Sequence, residues 1–451
     1  MDAFDSLRTN VGKFSLTRKT LLIPEMSRAG SLLLAASLRS FGVDARVMET
    51  YKGLHLGKQF TSGKECFPCQ VTLGDVLHHM EAEKERLGDA FHPENYLYFM
   101  AEAGGPCRFG MYNKLHRIIL DSLDGLSKTR IASVTSDDSY ALGGMMEPEL
   151  RKHFRRTAFL AVVIGDVLDR MLWHTRPYEK HPGQAEFCFE EALDRMVKSV
   201  ELYGRKKRFR LILNSLEEVV KKARGIIDPT IPRKPLIGMV GEIYLRSHRD
   251  SNQNLIKLLE NYGAEVVNAS ISEWLNYVSY DSMQRSEREA AFALRQRNLK
   301  ALRQHLKDWL RYRTELTYQY LRMDQVYRRV KKYLPIHKDH KINHIERQLD
   351  NDRLYSFHVG TEAGLSIGGA LAYCLSGFDG IVNVFPFSCM PSTMCSAILK
   401  PILDRLQIPY IDSAYDGTFQ PNREVIIRTF MYQTIQQQQK RLAQSGPPKS
   451  G

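Results

Sequence analysis

The sequence has no apolar run long enough to span a membrane. Its longest, 159–167, is interrupted by Gly165 and Asp166, well short of the roughly 18–20 apolar residues a span requires. Residues 1–10 are acidic and polar, without the apolar core of a leader peptide. These absences lead to the expectation of a cytoplasmic protein. Cysteine is sparse, with seven in 451 residues. Under reducing conditions that count argues against a disulfide framework and turns attention to metal or catalysis. Cys66 and Cys69 form a Cys-x2-Cys unit with no second such unit to match it, so the usual paired-ligand zinc pattern is missing. The closely spaced run of a ferredoxin is missing too. No phosphate-binding loop is present, so any ATP hydrolysis would belong to a partner. Acidic residues are also in deficit, 51 against 64 basic, for a net charge of +13. That balance raises nucleic acid, or an acidic or phosphorylated ligand, as a partner. No motif of a known nucleic-acid module accompanies it.

What is present reads as α/β. The length implies two or more domains. Short apolar strands at 20–23, 45–48, 96–101 and 130–134 alternate with helical patterns such as 29–41, the rhythm of a mostly parallel sheet with helices on its faces. A charged helical stretch, 190–224, leads into 228–235, which holds three prolines and marks a boundary. The rhythm then restarts with strands at 236–240, 265–268, 380–385 and 409–412. The expected organisation is an N-terminal α/β domain, 1–227, carrying Cys66 and Cys107. A C-terminal α/β domain, 228–435, carries Cys389 and a basic, solvated helical insertion at 283–349. A Gln-rich and then Gly/Pro/Ser-rich tail, 436–451, is expected to be disordered.

Three cysteines share a local grammar. Cys66 stands in Ser-Gly-Lys-Glu-Cys-Phe-Pro-Cys and Cys389 in Phe-Pro-Phe-Ser-Cys-Met-Pro-Ser, each with proline two residues on and a helical pattern after it. Proline suits the first turn of a helix, where its missing N–H leaves no bond unmade. Each cysteine is therefore expected just ahead of a helix, where free N–H groups and the positive dipole end favour a thiolate. Cys107, in Glu-Ala-Gly-Gly-Pro-Cys-Arg-Phe-Gly, follows the strand 96–101. Gly104 and Gly105 are expected to let the backbone approach a bound group. In open α/β sheets, loops after strand ends converge on the ligand crevice. Cys188 and Cys374 lie in helical apolar contexts and read as core. Cys69 and Cys395, one turn into their helices, read as either packing or additional metal ligands. Glu65, Glu102 and Ser388 beside the cysteines read as polar groups that fix the loops. Spacing alone leaves the metal open.

At these residues the chain resembles the 2-hydroxyacyl-CoA dehydratase family, which includes double-cubane-cluster proteins and the dehydratase-like portion of CoA protein activases. The resemblance spans roughly 20–428. Besides the three cysteine loops it rests on Arg-Pro-Tyr-Glu at 176–179, Gly-Glu-Ile-Tyr at 241–244 and Ser-Asn-Gln-Asn at 251–254. It implies tandem flavodoxin-like domains with mostly parallel sheets. It also implies a [4Fe-4S] cluster or a double-cubane iron-sulfur cluster held by Cys66, Cys107 and Cys389, with Cys69 and Cys395 as further candidates. An ATP-hydrolysing activator protein would supply low-potential electrons, and an acyl-CoA would be the substrate. A homo- or hetero-dimer is implied as well. The corresponding activity would be that of a dehydratase-like lyase, of a low-potential reductase component, or of an accessory that keeps the cluster without turnover. The competing reading is a zinc-stabilised or basic nucleic-acid-binding protein without catalysis.

Overall fold

Parallel strands covered on both faces are apolar almost throughout; the central strands Thr20–Ile23, Leu236–Gly241 and Gly380–Pro386 follow that rule, whereas the edge strand Asp44–Val47 exposes Asp44 and Arg46. The computed structural model describes residues 3–445; positions 446–451 of the expected tail lie outside them. Among the described residues nine strands form two sheets. The first contains β1 (Val11–Gly12), β2 (Thr20–Ile23), β3 (Asp44–Val47), β4 (Tyr96–Phe99) and β5 (Arg130–Ala132), in the order β1-β5-β4-β2-β3. The second contains β6 (Leu236–Gly241), β7 (Glu265–Asn268), β8 (Gly380–Pro386) and β9 (Tyr410–Tyr415), in the order β7-β6-β8-β9. Every pairing within them is parallel, with Leu21 opposite Leu97 in the first and Val240 opposite Asn383 in the second. Apart from the two-residue β1, each sheet runs second-first-third-fourth, the flavodoxin-like order. The ligand crevice of such a sheet lies beyond the carboxyl ends of its strands, where the order reverses. In this chain those ends are β2 and β4, and β6 and β8.

A long helix, Pro148–Thr175, joins the two halves and packs on both the helix Arg28–Ser40 and β7. Gly165 makes the first contact close: a Cβ there would stand 3.1 Å from the Gly30 Cα. Toward its other end Arg170 is buried and paired with buried Asp339 at 2.6 Å. Its guanidinium also donates to Asn268 O at 2.9 Å, His337 O at 3.0 Å and the Tyr327 hydroxyl at 3.0 Å. The Arg-Pro-Tyr-Glu motif continues this seam, with Arg176 bonded to Glu260 at 2.5 Å and the Tyr178 hydroxyl donating to Glu265 at 2.7 Å.

The helical insertion is present as Ile271–Arg295, Leu299–Val330 and Ile342–Asn351. It is solvated on all sides only at its tip. From Tyr312 onward the middle helix buries Leu316, Gln319, Met323, Val326 and Tyr327, so its Arg/Lys-rich composition belongs to one side only. The tail departs from expectation as well. Residues 436–445 extend the helix Arg423–Ser445 instead of being disordered. Glutamine, leucine and alanine favour helix. The helix is anchored by buried Ile427, Phe430 and Met431 and by Gln438, which donates to Arg233 O at 3.1 Å.

The segment before Cys66 is held by glycines. The helices Leu54–Gln59 and Phe67–Leu87 touch backbone to backbone: a Cβ on Gly57 would lie 1.9 Å from Gln70 O, and one on Gly74 would lie 2.2 Å from Gly53 O. Gly57→Ala is accordingly expected to destabilise the protein by about 2–3 kcal/mol, the upper range for overpacking. A shift in urea midpoint at unchanged slope would register this; a midpoint equal to wild type would refute the close contact.

Candidate metal centre

The three cysteines occupy one structural role. Cys66 is the N-cap residue of the helix Phe67–Leu87, Cys389 that of Met390–Arg405, and Cys107 that of the short turn Arg108–Met111, which runs into the helix Tyr112–Ser122. Pro68 and Pro391 sit in the first turns of the first two helices, as the Cys-x-Pro grammar requires. The loop holding Cys107 leaves the end of β4 and the loop holding Cys389 leaves the end of β8, the third strand of each sheet. The backbone N–H groups of Phe67, Phe109 and Ser392 at the helix starts favour the ionised sulfurs of Cys66, Cys107 and Cys389, although none of the three side chains makes a cap hydrogen bond. The hydroxyl of buried Tyr112, from the same core cluster, also favours the ionised form of Cys66.

The loops are strapped together by one side chain. Arg108 Nη1 donates to Lys64 O at 2.9 Å and to Ser388 Oγ at 3.3 Å. The residue after Cys107 thus bonds the segments just before Cys66 and Cys389. Two of these segments carry unusual backbone, with φ of +95° at Cys66 and +64° at Ser388. Such conformations cost on the order of 1–3 kcal/mol each and persist only where surrounding contacts enforce them. The neighbouring polar residues fix loops. Glu65 accepts from Ser62 N at 3.1 and 3.0 Å, and Glu102 accepts from Asn113 Nδ2 at 2.8 Å and from Lys114. Gly104 and Gly105 permit close approach of other protein groups: Cβ atoms there would meet Asp137 Oδ1 at 2.3 Å and Gly360 O at 3.2 Å.

Cys66, Cys107 and Cys389 all line one cavity of about 430 Å³. Exposed Pro106, Arg108 and Met390 mark its mouth, and buried Leu21, Leu38, Phe154 and Phe159 its interior. No protein-family model and no curated protein matches this chain. The site is therefore read from its own geometry. Two carboxyls share the cavity with the thiols, Glu242 after β6 and Glu362 at the start of the helix Ala363–Leu375. Glu242 accepts from Tyr244 N at 3.0 Å and Leu245 N at 2.8 Å. Burial, followed by the charge of Glu362, pushes the Glu242 carboxyl up to about 7.

Here the expectation for the thiols is reversed. Helix starts favour thiolates, but desolvation outweighs them. Burial, and then Glu242, push Cys66 up to about 12. Burial, and then Glu362, raise Cys107 and Cys389. Without a cation the three sulfurs are held as thiols. A bound metal reverses that balance, because a coordinating thiol is deprotonated outright.

The remaining cysteines lie elsewhere. Cys69 is fully buried with its sulfur 3.3 Å from His116 Nε2, and Cys395 is fully buried among Ile381, Leu399 and Leu403; neither lines the cavity. Cys188 is core, and half-buried Cys374 packs against the core of the second half. Among the described residues no three His, Cys, Asp or Glu side chains are grouped closely enough to grip a single metal ion. The three thiols instead face a common space. Tyr112, Glu242 and Glu362 carried no individual signal in the sequence, although Glu242 lies within the Gly-Glu-Ile-Tyr motif.

Proposed function

We propose that this chain is an iron–sulfur protein of the 2-hydroxyacyl-CoA dehydratase-like class, with Cys66, Cys107 and Cys389 as the cluster ligands. The observation that carries the reading is that these three cysteines, 323 positions apart at the extremes (389 − 66), are all N-cap residues on the wall of one cavity. The donor set is soft sulfur, which suits iron–sulfur clusters. Its spread around a space, rather than a point, suits a body larger than one ion. Such a cluster supplies one-electron transfer at low potential when bound.

The chain's own residues have definable tasks. The N–H groups of Phe67, Phe109 and Ser392 and the Tyr112 hydroxyl offset the negative charge of ionised sulfurs. Arg108 keeps the three loops in register. The apolar interior excludes water, and the Glu362 carboxyl, raised by burial, can hold a proton for a departing hydroxyl. Phe387, 68% exposed, and Met390, 40% exposed, flank Cys389. An apolar rim of this kind supports docking of an electron-donating protein at the mouth, the ATP-hydrolysing activator that the family resemblance implies.

Anaerobic purification is expected to give a brown protein containing iron and acid-labile sulfide, with a low-temperature EPR signal on reduction. A colourless protein that takes up zinc but no iron on anaerobic reconstitution would overturn the reading.

A further inference from the structure

The cavity is built for an uncharged guest. Its interior is walled by Leu21, Leu38, Met145, Phe154, Phe159 and Val162. Among the residues lining it only two are basic, Arg108 and Arg155, and both are engaged. Arg108 bonds Lys64 O and Ser388 at the mouth. Arg155 bonds Ser139 O at 3.0 Å and is paired with Glu315. The other charged residues on the wall are Glu242, Glu315 and Glu362. A carboxylate entering this space would find no free cation and would face acidic groups. Burying an unpaired ion costs several kcal/mol.

Two lining residues carry a buried polar atom without a hydrogen-bond partner, Gln319 at Oε1 and Tyr244 at its hydroxyl. One is an acceptor and the other can donate or accept, and both atoms are buried beneath the wall, so they do not dictate a polar group on the guest.

We infer that the cavity takes the acyl portion of the substrate and selects a bulky, uncharged, aliphatic or aromatic acyl group over a dicarboxylic one. The thioester carrier rests on the dehydratase-like reading above; the selection rests on the cavity alone. The two can fail separately.

The test is calorimetric titration of the full-length protein with hexanoyl-CoA and adipoyl-CoA, which match in chain length and differ by a terminal carboxylate. Both the metal-free and the anaerobically reconstituted forms are measured. Hexanoyl-CoA is expected to bind on the order of 100-fold more tightly in each. Val162→Phe, which fills the cavity, is expected to weaken hexanoyl-CoA by about tenfold or more, while Val162→Ala stays within about threefold of wild type. Equal affinities, a preference for adipoyl-CoA, or binding of neither would overturn the inference. A hexanoyl preference in a protein that never takes up iron would sustain the cavity and sink the cluster. Iron uptake without the preference would do the reverse.

Discussion

Cys107→Ala is expected to strip most of the iron from anaerobically reconstituted protein while shifting the thermal midpoint of the metal-free form by less than about 3 °C. The two halves of that expectation have different sources. Cys107 is only half-buried and caps a short turn without a side-chain cap bond, so removing its sulfur takes little from the apo fold. Deletion of one of the three proposed ligands removes a soft donor that nothing nearby replaces, since Cys69 and Cys395 are locked into cores away from the cavity. Cys188→Ala is the matched control and is expected to keep its iron. An iron content for Cys107→Ala equal to wild type would remove that residue from the site.

The largest expected loss of stability lies far from the thiols. Arg170→Met is expected to cost about 3–5 kcal/mol, the range for removing one partner of a buried pair. Burial alone would raise the Asp339 carboxyl; the Arg170 guanidinium more than offsets this and holds it below the ordinary carboxylate range. Without Arg170 the aspartate is left as an unpaired buried charge. The carbonyls of Asn268 and His337 lose a donor at the same time. Adding Asp339→Asn to Arg170→Met removes the orphan charge, so the double variant is expected to be more stable than Arg170→Met alone. Urea unfolding of the four proteins in the cycle measures this. A single-variant loss below about 1 kcal/mol would show that the pair does not join the halves.

Local rules carried the sequence reading furthest. Strands such as β8, whose seven residues Gly380–Pro386 are all buried, announce themselves as continuous apolar runs because both faces are covered. The Cys-x-Pro pattern found the starts of two helices because proline's constraint acts within a single turn. What stayed hidden depends on the assembled fold. Arg108 reaches Ser388 across 280 positions, and Tyr112 meets Cys66 only after β4 and its following helix are in place. The thiols' ionisation was misjudged for the same reason, since dipole and N–H effects are local whereas desolvation comes from the whole enclosure. The tail was misread from composition because its anchors, Phe430 and Met431, lie upstream of the Gln-rich run.

The shared strand order of the two sheets has a consequence for how the centre is composed. Cys107 follows the third strand of the first sheet and Cys389 follows the third strand of the second, so these two are counterparts. Cys66 begins the last helix before β4; in the second half that station, the start of the last helix before β8, is held by Glu362. The centre therefore has approximate internal symmetry, with four equivalent stations around one space. Three carry sulfur and the fourth carries a carboxyl.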